Sequence, residues 1–442
     1  MFKFSSFYIS CLFALIYTPA NAQKMTDRDA DFIVLVIGNN LRDNYPFVDI
    51  SAKYVADLEQ KMAAGRYHNL SEDELAQRVN EDLQKVHIDR HLHVYKNVVS
   101  GQQNSAPAVS WEVALKEINY GFQGVDLDRI TSTAYVNVPG PMYAVQETFE
   151  MAASAMNMSA HSKYVIIDLR ENPGGSGHIC RFMASYFYNV GDEKYYLYGF
   201  HKNKAQDEQE WTYSFVPGKR NPDAKLYILT SRHTASASEG MAYGLQKLGR
   251  AVIVGDTTAG AGIAGSDIEI KGALRMFLPV KMIVQPHSTI GWEGTGVYPD
   301  VLADKEDALV KTKQLILKDI ISTNPSNQKK ETAQWLLDNY TTFVGTNYST
   351  FPGKYSDDIA ITKTDTGFVW NKTVSGQPAR SLVLKELKQD VFGVVGYHPE
   401  LIPNSCRIYI HRNEHGKIDG LTMKELMGNG SIHVIAYNQK HP

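Results

Sequence analysis

Residues 226–254 read LYILTSRHTASASEGMAYGLQKLGRAVIV, two apolar runs separated by a segment of helical period. Leu226-Tyr227-Ile228-Leu229 and Ala251-Val252-Ile253-Val254 are each continuous, as strands buried on both faces are. Between them, Met241, Leu245 and Leu248 fall at i, i+4 and i+7 within Ser236 to Gly249. The segment therefore reads as one βαβ unit with a parallel strand pair. Val165-Ile166-Ile167-Asp168-Leu169 is a third buried run, stopped by Asn172-Pro173-Gly174-Gly175. Strands alternating with helical segments over 128–305 predict an α/β core. Within it, Ile268 to Val284 alternates and predicts antiparallel strands.

The flanks have a different texture. Residues 23–95 predict a helical N-terminal domain: Leu58, Met62 and Ala63 continue one stripe, and Ser71-Glu72-Asp73-Glu74 opens a helix with a capping box. Residues 96–127 read as a linker, with a loop from Ser100 to Ser110. Leu309, Ile316 and Ile320 make Asp304 to Thr323 a helix, which Asn324-Pro325 ends, so 306–335 reads as a helical linker. Residues 336–442 carry short strands between Gly, Asn and Asp turns, such as Arg407 to His411 before Asn413-Glu414-His415-Gly416, and predict a small all-β domain.

The chain of 442 residues is long enough for several cores. With 45 Lys and Arg against 48 Asp and Glu, its net charge of −3 gives no electrostatic basis for binding nucleic acid. Residues 1–22 have a positive start, an apolar run from Phe7 to Tyr17, and small residues at Ala20 and Ala22. They read as a secretory signal cleaved before Gln23, which predicts a periplasmic or secreted protein without an integral membrane segment. Cys180 and Cys406 then remain, and whether they pair is open. No metal-ligand pattern surrounds them, and no cofactor or metal is expected.

His233-Thr234-Ala235-Ser236-Ala237-Ser238-Glu239 opens the crossover helix directly after a strand. Ser236 and Glu239 fit a capping box, and Glu239 is read as a helix cap. The same serine also stands where α/β proteins bind ligands, at a strand's carboxyl end and a helix's positive end, and would be a nucleophile if a base accompanied it. The glycines of Asn172-Pro173-Gly174-Gly175 read as a strand-ending turn. They also suit a backbone amide that meets a substrate carbonyl with no Cβ in the way, forming an oxyanion hole with the Ala237 amide.

Ile228 to Gly262 resembles the active-site region of the S41 serine peptidases, the family of tail-specific, tricorn and interphotoreceptor retinoid-binding-protein-like sequences. Tyr164 to Gly177, YVIIDLRENPGGSG, resembles that family's D-x-R-x-N-x-G-G block, and Gly291 to Asp300, GWEGTGVYPD, its distal glutamate block. Tyr45-Pro46-Phe47, Gly65-Arg66-Tyr67 and Asp89-Arg90-His91-Leu92 are similar to the helical leader of the retinoid-binding-protein-like branch. Four blocks in order cover roughly residues 28–305.

The resemblance implies an α/β core of crotonase/ClpP-like type with Ser236 as nucleophile. Ala261 stands where tail-specific members carry a lysine base, which excludes a Ser/Lys dyad. Glu293, nearly sixty residues after Ser236, matches the tricorn-like glutamate. A carboxylate is too weak a base to act on serine alone, so an imidazole is required. His91 matches the base histidine of the D-x-H block, and His233 is the alternative. Asn137, in Tyr135-Val136-Asn137-Val138, occupies the place of a histidine in tricorn itself and cannot be a base. Gly174 or Gly175, with Ala237, is the implied oxyanion donor.

The implied activity is that of an exported serine endopeptidase acting on peptides or unfolded proteins through an acyl-enzyme. Residues 96–127 are too few for the PDZ domain of the tail-specific branch. The competing expectation is a non-catalytic binding protein for an apolar ligand on the same fold. The β domain resembles modules appended to exported hydrolases, its role and the oligomeric state being open.

Overall fold

The computed structural model describes residues 24–442 apart from 90, 98–110, 324–325, 341–347, 349, 374–377, 397–404 and 438–442. The signal segment 1–22 and the loop at Ser100 to Ser110 lie outside the described residues. In chain order the first elements are α1 (Asp27–Asn44), α2 (Val48–Ala63), α3 (Glu72–Val86), β1 (His93–Lys96), α4 (Trp111–Glu117), β2 (Gly124–Asp128) and β3 (Thr133–Asn137). They are followed by α5 (Gln146–Met158), β4 (Tyr164–Asp168), α6 (Gly177–Ser185), β5 (Tyr195–His201), β6 (Glu208–Trp211), β7 (Lys225–Thr230), α7 (Ala237–Lys247) and β8 (Ala251–Gly255). Then come β9 (Ile263–Lys271), β10 (Leu274–Val284), β11 (Val301–Leu302), α8 (Ala308–Ser322) and α9 (Asn327–Asp338). The last strands are β12 (Gly353–Lys354), β13 (Ile359–Thr364), β14 (Gly367–Lys372), β15 (Arg380–Lys388), β16 (Val391–Val394), β17 (Cys406–Arg412), β18 (Ile418–Leu426) and β19 (Ile432–Tyr437).

The chain folds as two units. The first holds the residues up to Ala106 with His201–Ala205 and Ala264–Lys281. Its helices begin as their caps dictate: Thr26 accepts the Asp29 N–H at 3.1 Å, and Ser71 and Glu74 close the predicted capping box on α3. Ile37, Leu41, Leu58, Leu75 and Val79 face one core. That core takes in strand residues too, because β1 pairs antiparallel with β10, Val94 opposite Met276. The N-terminal unit is thus neither purely helical nor continuous, and it includes a hairpin that the sequence reading assigned to the α/β core. A local pattern can mark Val94 as half of a sheet face but cannot name its partner strand far along the chain. Asp82 is buried and accepts Arg66 Nε at 2.6 Å, Arg66 Nη2 at 2.9 Å and the Tyr67 hydroxyl at 3.1 Å.

The second unit holds Pro107–Phe200, Gln206–Ile263 and Met282–Pro442. Its central sheet has the order β11-β8-β7-β4-β3-β2. All neighbours are parallel except β2 and β3, with Ile166 beside Tyr227 and Ile228 beside Ile253. Every residue of β4 is buried, as the continuous apolar run required. On one face Ala308 and Ile316 of α8 cover Ile166, Tyr227, Leu229 and Val254. The segment expected as a helical linker thus supplies a layer of the core. Among the helices of this unit, α6 packs between α5 and α7.

The strands β12 to β19 form one eight-stranded antiparallel meander in sequence order, around Phe351, Trp370, Phe392 and Ile408. Trp335 of α9 packs with Leu426. The buried Arg407 guanidinium donates to Asp338 at 3.3 Å. Cys180 and Cys406 are both buried and unpaired, and burial pushes the Cys180 thiol up to about 12. None of the described helices is long and apolar enough to cross a membrane.

Candidate active site

Three loops leave the carboxyl ends of the adjacent parallel strands β4, β7 and β8, where α/β sheets bind ligands. The β4 loop is held first by charge. Arg170 lies in a fork against Asp168, Nε to Oδ1 at 2.9 Å and Nη2 to Oδ2 at 2.6 Å, and the Tyr135 hydroxyl donates to the same carboxylate at 2.6 Å. Asn172 then ties this loop to its neighbours. It is fully buried, donates to the carbonyls of Val138 and Gly140 at 2.8 and 2.6 Å, and accepts the Gly174 N–H at 2.8 Å and the Ser238 hydroxyl at 2.7 Å. Thr234 Oγ1 donates to the Leu169 carbonyl at 2.8 Å, which fastens the β7 loop to the β4 loop.

Ser236 caps α7 with φ 54° and ψ −122°, a region that residues with a Cβ rarely enter. An ordinary helix cap sits in extended backbone, as Ser71 does at φ −76° and ψ 167°. The strain distinguishes Ser236 from a residue present only as a cap. The backbone of Gly174, at φ 108°, lies directly against it: a Cβ on Gly174 would come within 2.8 Å of the Ser236 Cβ and 2.7 Å of the Ala235 carbonyl oxygen. Gly174 is buried and its N–H is taken by Asn172, whereas Gly175 is exposed. The amides of Gly175 and Ala237 have no acceptor among the described residues.

Glu239 is more than a helix cap. It accepts the Ser236 N–H at 2.8 Å, which fits the box. The same buried carboxylate also accepts Thr258 Oγ1 and the N–H groups of Gly260 and Ala261 at 2.5, 2.7 and 2.8 Å. Burial raises its pKa, and the four donors oppose that rise. Glu293 Oε2 accepts the next amide of the same turn, Gly262 N–H, at 2.6 Å, and Gly294 N–H reaches the Gly260 carbonyl at 2.8 Å. The β8 loop therefore joins Ser236 and Glu293 at one end of the sheet, with Ala261 between them. Asn172 and Glu239 went unrecognised in the sequence because their partners come from separate loops. The one local signal was an acid and an amide beside small residues at strand ends.

The two histidines differ. His233 is exposed, and its Nδ1 lies 3.1 Å from Glu171 Oε2, a carboxylate that Lys305 also pairs with. His91 belongs to the first unit, where its N–H donates to the buried Asp89 at 2.8 Å and its ring lies near Phe277. Its Nδ1 is buried without a partner among the described residues. Burial pulls its imidazole below the ordinary histidine range, against the opposing pull of Asp89. Asn137 donates to Gln123 at 2.7 Å. Among the described residues no group of three or more His, Cys, Asp or Glu converges as a metal set.

Residues 132–303 match the family model of peptidase family S41, and residues 26–119 match that of the N-terminal domain of peptidase S41 in eukaryotic IRBP. A CtpA-like serine protease of Staphylococcus epidermidis is 31% identical over 140 residues, 31% of this chain and 27% of that protein. A carboxyl-terminal-processing protease of Picosynechococcus is 32% identical over 142 residues, 32% of each chain. The matches thus span about a third or less of the length of these curated relatives. A solved lipoprotein of Streptococcus agalactiae is similar at TM-score 0.47 and 14% identity, over 66% of this chain and 97% of that one. With both family models matched in order along more than half of its length, the chain belongs to peptidase family S41.

Proposed function

We propose that this chain is an exported serine endopeptidase that cleaves peptides or unfolded proteins through an acyl-enzyme on Ser236. The observation that carries the reading is the strained Ser236, with φ 54°, pressed against the Gly174 backbone beside two amides that have no acceptor among the described residues. In this reading Ser236 Oγ attacks the scissile carbonyl carbon while His91 takes the hydroxyl proton, and Glu293 stabilises the imidazolium. The carbonyl oxygen becomes an oxyanion that accepts the Gly175 and Ala237 N–H groups. Gly175 is preferred to Gly174 because the Gly174 amide is already engaged by Asn172. Collapse breaks the C–N bond, the amine leaves with the proton from His91, and water cleaves the ester to restore Ser236.

His91 is favoured as base by its Nδ1, which has no partner among the described residues, and by the burial that lowers its pKa, whereas His233 is engaged by Glu171. The crotonase/ClpP-like arrangement of the core belongs to the same reading, as does export to the periplasm or beyond the cell, supported by residues 1–22. The test is digestion of a mixed unfolded peptide pool by the wild type and by Ser236→Ala, read by mass spectrometry. Cleavage by the first alone is expected. Two folded proteins that cleave nothing would turn the search to apolar ligands.

A further inference from the structure

Four donors converge on the Glu239 carboxylate, and no cation pairs with it among the described residues. Oε2 takes the amides of Ser236 and Ala261, and Oε1 takes the Gly260 amide and the Thr258 hydroxyl. Two donors on each oxygen fill the lone-pair sites a carboxylate offers. The direction of the Thr258 bond is set independently, because Thr258 Oγ1 accepts the Val297 N–H at 2.7 Å and so turns its hydrogen to Glu239. A buried anion held by neutral dipoles is expensive, and a helix cap alone does not require one. An exposed cap would be satisfied by water, as the N-terminal amides of surface helices are.

What the carboxylate joins is specific. One partner is the amide of Ser236, whose φ of 54° must be over-determined by its surroundings to persist. The others are successive amides of the turn whose next member, Gly262, donates to Glu293. Resting on the serine-peptidase reading above, we propose that Glu239 is a positioning residue that locks the Ser236 backbone in its attacking conformation and registers the 258–262 turn, with Glu293, against it. Glutamine cannot replace it. Its single acceptor oxygen serves two donors, while its NH₂ group faces the other two donors head-on.

The test compares wild type, Glu239→Gln, Thr258→Val and Ser236→Ala in steady-state peptide cleavage, with folding followed by circular dichroism and melting temperature. The expected result for folded Glu239→Gln is a kcat lowered about 10²-fold, the scale of a misplaced nucleophile, with KM within about twofold. Hydrogen exchange at Ser236, Gly260 and Ala261 should accelerate. Thr258→Val removes one donor and leaves the carboxylate, so it should lower kcat about tenfold and carries the test if Glu239→Gln does not fold. An active wild type whose folded variants keep its kcat, with only the melting temperature lowered, would overturn the positioning role and leave the peptidase reading intact. A folded wild type without Ser236-dependent cleavage would overturn the peptidase reading, and this inference with it.

Discussion

Asn172 Oδ1 accepts the N–H of Gly174 at 2.8 Å, while its amide nitrogen donates to the carbonyls of Val138 and Gly140. One buried side chain thereby aligns two loops and removes one of two adjacent glycines as a free donor. Asn172→Ala should leave these buried groups unsatisfied and destabilise the protein by about 3 kcal/mol, measured by urea unfolding. A change within about 0.5 kcal/mol would contradict the linking role.

The strained Ser236 predicts opposite effects on stability and activity. Ser236→Gly should abolish cleavage and raise stability by about 1 kcal/mol, because glycine occupies φ 54° without a Cβ penalty. Thermal unfolding of the two proteins checks it, and a less stable glycine variant would show that the conformation is not strained.

His91→Gln should lower kcat by about 10²–10⁴, whereas His233→Gln should stay near wild type. The base must be neutral, and burial lowers the His91 pKa, so activity should persist as pH falls past 6.5 and decline only when the lowered His91 value is reached. A pH profile of kcat/KM with its acid limb at or above 6.5 would count against His91.

Acid should attack the first unit through Asp82. Burial alone would raise this carboxyl, but the bonds from Arg66, Lys61 and Tyr67 outweigh it and hold it at about 2, against an ordinary 3.8. A depressed carboxyl stabilises the fold fully above its unfolded value, so this contribution should be lost as pH falls from 3.8 through about 2. Asp82→Asn should flatten that part of the acid transition and cost about 2 kcal/mol at neutral pH, since it takes the carboxylate from Arg66 and the Tyr67 hydroxyl while Lys61 keeps Asp57. Circular dichroism against pH for both proteins is the measurement, and superimposable curves would refute it.

Much of the second unit is legible in the sequence, because its signals are local. Buried parallel strands announce themselves as unbroken apolar runs, and β4, β7 and β8 fall where those runs lie. The helical stripe after Ser236 and the turn chemistry of Asn172 to Gly175 are equally local, as is the capping box at Ser71. The β9–β10 hairpin was legible as strands but not as part of the first unit, since hydrophobic alternation carries no address for its partner. Likewise Glu239 read as a cap, because three of its four donors lie about twenty residues further on.

By itself, then, the order of residues determined the βαβ layer and the motifs at its carboxyl edge, because periodicity and turn preference act over a few neighbouring residues. Only the tertiary structure decided which glycine amide stays open, how Ser236 is strained and what Glu239 holds. Those properties arise when loops distant in sequence meet around one buried acceptor, and local propensity has no term for that meeting.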